Sequence, residues 1–170
     1  DSRVSRGLGD VYKRQHMLNP DGGIETDLTV VCIEKDHFRI ISSAATRERD
    51  KFHINKHLAK DVELKDVTDD YCVFGVFGPK SRALMKSISK DNFENDNFRF
   101  STAKYITIEG IKIWTQRLSY VGELGYELYV KSEDAKKIYE LLVNKGKDFN
   151  LSNCGMHAMD IMRMESGFLH

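Results

Sequence analysis

Two acidic side chains in this sequence, Asp27 and Glu127, have a chemistry that suits proton transfer or the binding of a planar ring. Asp27 follows a Gly-Gly pair at the entrance of a strand-like stretch, and Glu127 lies between Tyr126 and Leu128. A fixed carboxylate can accept a proton or stabilise a passing cation. Its two oxygens also match two adjacent N–H donors on a heterocycle. Taken alone, each carboxylate is more often a solvent-facing residue, so the two positions by themselves leave both interpretations open.

A third pattern, CGMHAMDIMRMESG at residues 154–167, predicts a helix that a glycine terminates. Asp160 and Arg163 are three residues apart in it, so they can pair on one face of the helix. The methionines of this stretch are expected to fill core space. They are Met156, Met159, Met162 and Met164.

Other catalytic chemistry is not indicated. His53 and His57 are four residues apart on a predicted helix, but no carboxylate or cysteine stands at a useful spacing for a metal ion. The sequence contains no Walker loop, no GxSxG motif and no GxGxxG fingerprint. We therefore predict no metal site and none of these three kinds of catalytic loop.

Apolar periodicity predicts the elements that must position these residues. Strands are expected over residues 27–34, 38–43, 62–67, 71–77, 104–108, 111–118 and 126–130, and helices over 44–59, 78–89, 132–146 and 156–165. The almost wholly apolar stretch at 71–77 is typical of a central strand. Ser132 is expected to cap the predicted helix over residues 132–146. Because strands and helices mix without strict alternation, the predicted fold class is α+β, with helices packed on a mostly antiparallel sheet.

The composition is that of an ordinary globular domain, with 170 residues, 41% apolar residues and 26 residues of each charge sign. Balanced charge gives no support for nucleic-acid binding, which needs a basic face. No stretch approaches the ~18 apolar residues of a membrane span. Three widely spaced cysteines, Cys32, Cys72 and Cys154, form no disulfide framework. We expect them to be buried thiols in a reducing compartment, the cytoplasm, or the mitochondrial matrix if the source is eukaryotic.

The first fifteen residues, DSRVSRGLGDVYKRQ, are basic, interrupted by glycine and serine, and without a sustained period. Within them DVYKRQ resembles a translated transposon end of the kind used to make sequencing libraries. We expect residues 1–15 to be a non-native or disordered arm. Residues 16–170 are then expected to be a partial domain truncated at both ends, since the chain stops just past a predicted helix and a glycine.

Five motifs, in order and in register, resemble the folate-binding domain of the glycine cleavage T-protein (aminomethyltransferase) family. They are MLNPDGGIETDLTV, FRIISSAATRERD, VFGVFGPKSRALM, SYVGELGYELYV and CGMHAMDIMRMESGF. The resemblance spans about residues 17–170 and is closest to the version fused to FAD-dependent dimethylglycine and sarcosine dehydrogenases. It implies a ferredoxin-like α+β core near a folate channel, and tetrahydrofolate as the one-carbon acceptor.

The resemblance also implies roles for particular residues. Asp27 matches the carboxylate beside the reacting folate nitrogens, and Glu127 matches the glutamate that grips the pterin edge. Tyr120 matches the aromatic residue that opens the SYVGELGYELYV signature, so Asp27 and Tyr120 are expected to be catalytic. Glu127, Glu123 in the same loop, and Ser43 are the residues expected to bind the cofactor.

Two departures favour the dehydrogenase-fused relatives over a T-protein proper. Met159 stands where the T-proteins usually have an arginine, and Ser43 where they usually have an asparagine. The resemblance therefore implies formation of 5,10-methylenetetrahydrofolate from a methylated amine donor, with FAD only in a missing upstream domain. The alternatives are a glycine cleavage aminomethyltransferase that acts with a lipoyl carrier protein, a folate-dependent sulfonium demethylase, and a non-catalytic folate-binding module. Neither nucleic acid nor a membrane is an expected partner.

Overall fold

The computed structural model describes residues 12–168, and the chain divides after Val67 into two compact units. The first unit contains a three-stranded antiparallel sheet in the order β1-β2-β3, followed by one helix. Its elements are β1 (Tyr12–Leu18), β2 (Ile24–Glu34), β3 (His37–Ser42), a 3₁₀ turn (Ala44–Thr46) and α1 (Arg47–His57). The predicted hairpin of residues 27–34 and 38–43 is thus present as β2 and β3, and β2 has a second antiparallel partner in β1.

A tight turn between β1 and β2 sets the position of the first candidate carboxylate. The side-chain oxygen of Asn19 accepts a hydrogen bond from the Gly23 amide at 2.8 Å. Gly22 has a φ of 82°, a conformation that glycine adopts without steric cost. This turn fixes the register in which His16 pairs with Asp27 across the two strands.

A buried carboxylate, Asp50, anchors α1 to the sheet of the first unit. The Asp50 residue is only 2% exposed and accepts a hydrogen bond of 2.6 Å from the Thr46 hydroxyl. Burial by itself raises the pKa of Asp50, but hydrogen bonds from Thr46, Ser42 and Thr26 and the charge of Arg49 outweigh it and hold the pKa below its ordinary value. Because Thr26 lies in β2 and Ser42 in β3, one carboxylate joins three elements.

Replacing Asp50 by asparagine is expected to lower the free energy of unfolding of the chain at pH 7 by about 1–3 kcal/mol, because a buried charge-assisted network is broken. The folded pKa is depressed, so this stabilisation is present above the unfolded pKa of about 3.9 and disappears as the pH falls through the folded pKa. Urea unfolding at several pH values should show the gap between wild type and variant closing below about pH 4. Asp36→Asn, an exposed substitution in the β2–β3 turn, is the matched control. A gap that stays constant down to about pH 2, below the range in which carboxylates normally titrate, would contradict the role of the carboxylate.

The second unit contains a four-stranded antiparallel sheet in the order β4-β7-β6-β5, with helices against it. Its elements are β4 (Tyr71–Phe77), α2 (Ser81–Ile88), β5 (Thr102–Ile108), β6 (Ile111–Arg117), β7 (Gly125–Lys131), α3 (Ala135–Gly146) and α4 (Met156–Glu165). Three 3₁₀ turns complete it, at Thr68–Asp70, Ser132–Asp134 and Lys147–Phe149. The α+β class predicted from the sequence is confirmed.

The core of the second unit lies between one face of this sheet and helices α2 and α3. From β7 it takes Tyr126, Leu128 and Val130, each fully buried. Successive side chains of a strand point to opposite faces. Glu127 and Tyr129 therefore lie on the face of the sheet that α2 and α3 do not cover.

The structure corrects two strand predictions. Residues 62–67 form no strand, and Asp66 in this segment is bonded instead by Arg47 at 2.9 Å and lies 3.5 Å from the ammonium group of Lys51. An alternating pattern permits a strand, but a strand also needs a neighbouring edge to pair with. The stretch at Tyr71–Phe77 is a strand at the edge of its sheet rather than at the centre, and Val73 in it is 52% exposed.

Several predicted side-chain environments also differ. Met156 and Met164 of α4 are 63% and 60% exposed, so they do not fill core space. Cys154 is exposed, and the other two cysteines are half-buried rather than buried. The hydroxyl of Ser132 does not cap α3, because it donates to the carbonyl of Asp69 at 2.9 Å.

Residues 12–15 of the predicted arm are the first half of β1 and pair with β2. Residues 1–11 of that arm lie outside the described part of the chain. The assignment of residues 1–15 as a non-native segment stays a prediction.

Candidate functional site

The carboxylate of Glu127 is held by a short chain of hydrogen bonds on the face of the second sheet opposite α2 and α3. The Tyr129 hydroxyl donates to Oε2 of Glu127 at 2.8 Å, and the Gln116 amide donates to the Tyr129 hydroxyl at 2.9 Å. The register of β6 and β7 places Gln116 directly opposite Glu127, so the contacts follow from strand pairing. Among the described residues, the hydrogen bond found to the Glu127 carboxylate is the one from Tyr129 to Oε2.

The electrostatics of Glu127 are those of a partly desolvated carboxyl. Burial raises the pKa of Glu127 above its ordinary value, and the hydrogen bond from Tyr129 opposes part of that rise. A carboxylate kept in such surroundings costs folding free energy unless something binds to it. Perturbed groups of this kind are concentrated at functional sites.

An aromatic ring lies beside this carboxylate on the same face. Gly75 is the cross-strand partner of Glu127 in β4, and Phe77 is the partner of Gly125. A Cβ atom on Gly75 or Gly125 would stand 2.4 Å or 2.2 Å from the Phe77 ring, so the ring lies over both glycines. The two residues without side chains thus make room for an apolar surface next to a hydrogen-bond acceptor, as a planar heterocycle requires.

The third predicted group, Tyr120, is bound to helix α4. Its hydroxyl donates to Oδ1 of Asp160 at 3.1 Å, and the same oxygen lies 3.6 Å from the Arg163 guanidinium. The predicted pairing of Asp160 with Arg163 is therefore confirmed. Burial raises the pKa of Tyr120, and the Asp160 carboxylate raises it further, so the hydroxyl stays a donor at neutral pH.

Helix α4 also fixes the backbone of the loop that carries Tyr120. The Ser166 hydroxyl donates to the carbonyl of Val121 at 2.8 Å. Gly122, at a φ of 82°, lies so close to Ser166 that a Cβ atom would stand 2.5 Å from its side chain. The loop between β6 and β7 is thus positioned from both strands and from α4.

The first candidate carboxylate, Asp27, lies in the other unit and is paired. Arg14 donates to both of its oxygens from Nε, at 3.0 Å and 2.8 Å, and its terminal nitrogen also contacts Oδ2. The imidazole Nε2 of His16 is 3.7 Å from Oδ1. The Asp27 side chain is half-exposed.

The two remaining predicted residues are Ser43 and Glu123. Ser43 is exposed, and its carbonyl, rather than its hydroxyl, accepts bonds from the amide and hydroxyl of Thr46. Glu123 is exposed in the β6–β7 loop. Their roles in cofactor binding stay predictions.

Sequence analysis missed Gln116, Tyr129, Phe77 and Asp50. For three of them the sequence held a weak signal. Gln116 is an amide close to Trp114 in a predicted strand, Tyr129 is a tyrosine two residues after Glu127, and Phe77 lies between Gly75 and Gly78. Asp50 gave no signal, because a charged residue on a strongly charged helix is normally solvated.

Two kinds of site are absent from the part of the chain that the structure describes. Among residues 12–168 there is no group of three or more His, Cys, Asp or Glu that could hold a metal ion. None of the helices within that range combines the length and the apolar character that a membrane span needs.

Comparison with known proteins reveals relatives of two kinds. Human "Dimethylglycine dehydrogenase, mitochondrial" is 33% identical over 156 residues, which cover 90% of this chain and 18% of that protein. An "Aminomethyltransferase" of Halothermothrix orenii is 31% identical over 97% of this chain and 47% of that protein. The chain thus spans less than half the length of either relative.

The fold is matched by a crystal structure of the glycine cleavage system aminomethyltransferase T of Bartonella henselae. The TM-score is 0.77 at 21% identity, and the match covers 96% of this chain and 42% of that protein. The family model described as the GCVT N-terminal domain matches residues 10–170, nearly the whole sequence. The chain belongs to the GCVT N-terminal domain family.

Proposed function

We propose that this chain is the tetrahydrofolate-binding part of an enzyme that transfers one-carbon units to form 5,10-methylenetetrahydrofolate. The observation that carries the proposal is the Glu127 carboxylate, which is partly desolvated and hydrogen-bonded at Oε2 by Tyr129. Membership of the GCVT N-terminal domain family supports the same conclusion.

The residues present suit a reduced pterin. Its amino group and the neighbouring ring N–H form a pair of donors in one plane, and a carboxylate offers two acceptors in one plane. The Phe77 ring, lying over Gly75 and Gly125, supplies apolar surface at the side of that carboxylate. An exposed carboxylate on a polar sheet would lack both the desolvation and the aromatic neighbour.

The proposed reaction joins tetrahydrofolate to a carbon at the oxidation level of formaldehyde. With formaldehyde as donor, the products are 5,10-methylenetetrahydrofolate and water, so no oxidant is consumed in this step. In this mechanism Asp27 stabilises the cation that forms during the transfer and takes up the proton that the amine releases. Glu127 orients the ring, which is an entropic contribution to the rate.

We further propose that the chain is part of a flavin-dependent dimethylglycine or sarcosine dehydrogenase, with FAD held by a separate domain upstream of the folate-binding part. The 33% identity to the human dimethylglycine dehydrogenase supports this, as do Met159 and Ser43. The donor would then be a methylated amine.

A glycine cleavage aminomethyltransferase is the second candidate, supported by the 31% identity to the Halothermothrix orenii protein. A lipoyl carrier protein would be its partner. The two candidates differ in the form in which the carbon reaches tetrahydrofolate. In the first it is the iminium made by oxidation of the methylated amine, or formaldehyde derived from it, and in the second it is an aminomethylated lipoyl carrier.

Binding of tetrahydrofolate is the direct test. Trp114 is the single tryptophan, and its ring is 4.7 Å from that of Tyr129, so its fluorescence reports on the surroundings of Glu127. Anaerobic titration of the 170-residue chain with tetrahydrofolate is expected to change this fluorescence in a saturable way. p-Aminobenzoylglutamate, which lacks the pterin, serves as the control and should cause no such change. The absence of saturable tetrahydrofolate binding by fluorescence and by calorimetry would contradict the proposal.

A further inference from the structure

Two residues with no assigned role, Gln116 and Tyr129, link to the Glu127 carboxylate on its own face of the sheet. Gln116 is 0% exposed and Tyr129 is 7% exposed, and they link to Glu127 through bonds of 2.9 Å and 2.8 Å. The three side chains belong to two neighbouring strands with a fixed register. Their order is Gln116 to Tyr129 to Glu127, with the hydroxyl in the middle.

The donor and the acceptor in each of these two hydrogen bonds follow from the single proton on the Tyr129 hydroxyl. A tyrosine hydroxyl has one proton to give, and an ionised carboxylate can only accept. With the Gln116 amide nitrogen facing the hydroxyl, that nitrogen donates to Tyr129 and leaves the tyrosine proton for Glu127. The opposite orientation of the amide would place two acceptors against one proton.

Gln116 occupies its position at a cost to stability. Its amide oxygen is buried and has no hydrogen-bond partner among the described residues. A buried acceptor without a hydrogen bond lowers the free energy of unfolding by about 1–3 kcal/mol, and an apolar side chain of similar shape would avoid this loss. A residue that served packing alone would be apolar here, so the amide nitrogen is the part of Gln116 that has a use.

We propose that Tyr129 and Gln116 are positioning residues, which fix the rotamer of Glu127 so that Oε1 and one lone pair of Oε2 face the ligand. The identity of the ligand, a pterin, rests on the proposed function. The positioning itself rests on the hydrogen-bond chain. It removes the side-chain freedom that an unrestrained glutamate would lose on binding.

The neighbouring strands present no competing charge at this position. In the described part of the second unit, β4 places Gly75 beside Glu127 and β6 places Gln116 there. The other titratable side chains on this face stand further along the strands and include Tyr71, Tyr105, Lys112 and Lys131. Tyr129 is therefore the titratable residue of this sheet face that bonds Glu127 directly.

The strand also supplies a matched control for removing a hydroxyl. Tyr126 lies three residues before Tyr129 on the opposite face and is fully buried. Its hydroxyl has no partner among the described residues. Tyr126→Phe therefore makes the same chemical change in the same strand without touching the chain of hydrogen bonds.

The experiment measures two quantities on the 170-residue chain. The pKa of Glu127 is followed by NMR on protein labelled with ¹³C at the glutamate carboxyl groups, the signal being assigned by its loss in Glu127→Gln. The affinity for tetrahydrofolate is measured by calorimetry. The variants are Tyr129→Phe, Gln116→Leu, their double variant and Tyr126→Phe.

Tyr129→Phe is expected to raise the pKa of Glu127, because the hydrogen bond to its ionised form is lost, and to weaken tetrahydrofolate binding about five- to tenfold. Gln116→Leu should shift both quantities in the same direction by a smaller amount, about two- to threefold in affinity. In the Tyr129→Phe background, Gln116→Leu should change neither quantity further. Tyr126→Phe should leave both as in wild type.

Two outcomes would overturn the proposal. One is that Gln116→Leu has the same effect in wild type and in Tyr129→Phe, and the other is that the pKa of Glu127 is unchanged in both single variants. Either would show that Gln116 and Tyr129 serve packing only. Should Gln116→Leu not fold, Gln116→Met removes the same donor. If wild type binds no tetrahydrofolate, the NMR measurement still decides the positioning, and the proposed function fails separately.

Discussion

Replacing Asp27 by asparagine is expected to lower the rate of 5,10-methylenetetrahydrofolate formation by about 10²–10⁴-fold, the usual contribution of a general acid–base group. The amide keeps the shape of the side chain but carries no charge to stabilise a passing cation and cannot take up a proton. Tetrahydrofolate affinity should stay within about twofold, because in this proposal Glu127, not Asp27, holds the ring.

The measurement is the initial rate of product formation from formaldehyde and saturating tetrahydrofolate, corrected for the uncatalysed reaction. Asp21→Asn, an exposed substitution in the turn that precedes β2, is the control and should leave the rate unchanged. Asp27→Asn also removes the ion pair with Arg14, which is exposed, so stability should fall by less than about 1 kcal/mol. Equal rates in wild type and Asp27→Asn would show that this carboxylate is not catalytic.

Replacing Glu127 by glutamine is expected to weaken tetrahydrofolate binding by about 10- to 100-fold, since charge-assisted hydrogen bonds are worth about 1.5–3 kcal/mol each. One acceptor becomes a donor that faces the N–H groups of the ligand. Turnover at saturating tetrahydrofolate should change much less than affinity. Glu127→Ala should weaken binding at least as much.

The pH dependence gives a second measure of the same residue. Burial raises the pKa of Glu127, so its ionised form is disfavoured in the folded chain and lowers stability at pH values above that pKa. Glu127→Gln should therefore be as stable as wild type or more stable at about pH 7, where a glutamate is normally ionised. Wild-type affinity should fall as the pH drops through the raised pKa, while the affinity of the variant should not follow it. Binding that is unchanged in Glu127→Gln at every pH would remove the residue from the site.

Local signals in the chain predicted much of the fold correctly. The glycine turn before β2, the β5–β6 hairpin and the helices ending near Gly146 and Gly167 follow from short-range periodicity and turn chemistry. The same reasoning failed for residues 62–67, where the pattern of a strand was present without a neighbouring edge. It also failed for Met156 and Met164, because periodicity cannot tell which face of a helix meets the core.

The pairing of β4 with β7 lies beyond any local pattern. Gly75 and Glu127 are far apart in the chain, yet the two are cross-strand partners. This pairing, together with that of β6 and β7, creates the surroundings of Glu127: the glycine, the Phe77 ring and the amide of Gln116. Asp50 is a comparable case, since the hydrogen bonds that stabilise its carboxylate come from two strands and a turn.

The order of residues was enough to indicate the family, the fold class and the two carboxylates, because motifs and periodicity are properties of the chain read in sequence. The environment of each carboxylate could not be read from the order of residues. Desolvation, hydrogen bonding and neighbouring charge depend on which distant segments pack together, and these effects determine whether a carboxylate is solvated, paired as Asp27 is with Arg14, or held by a buried chain as Glu127 is.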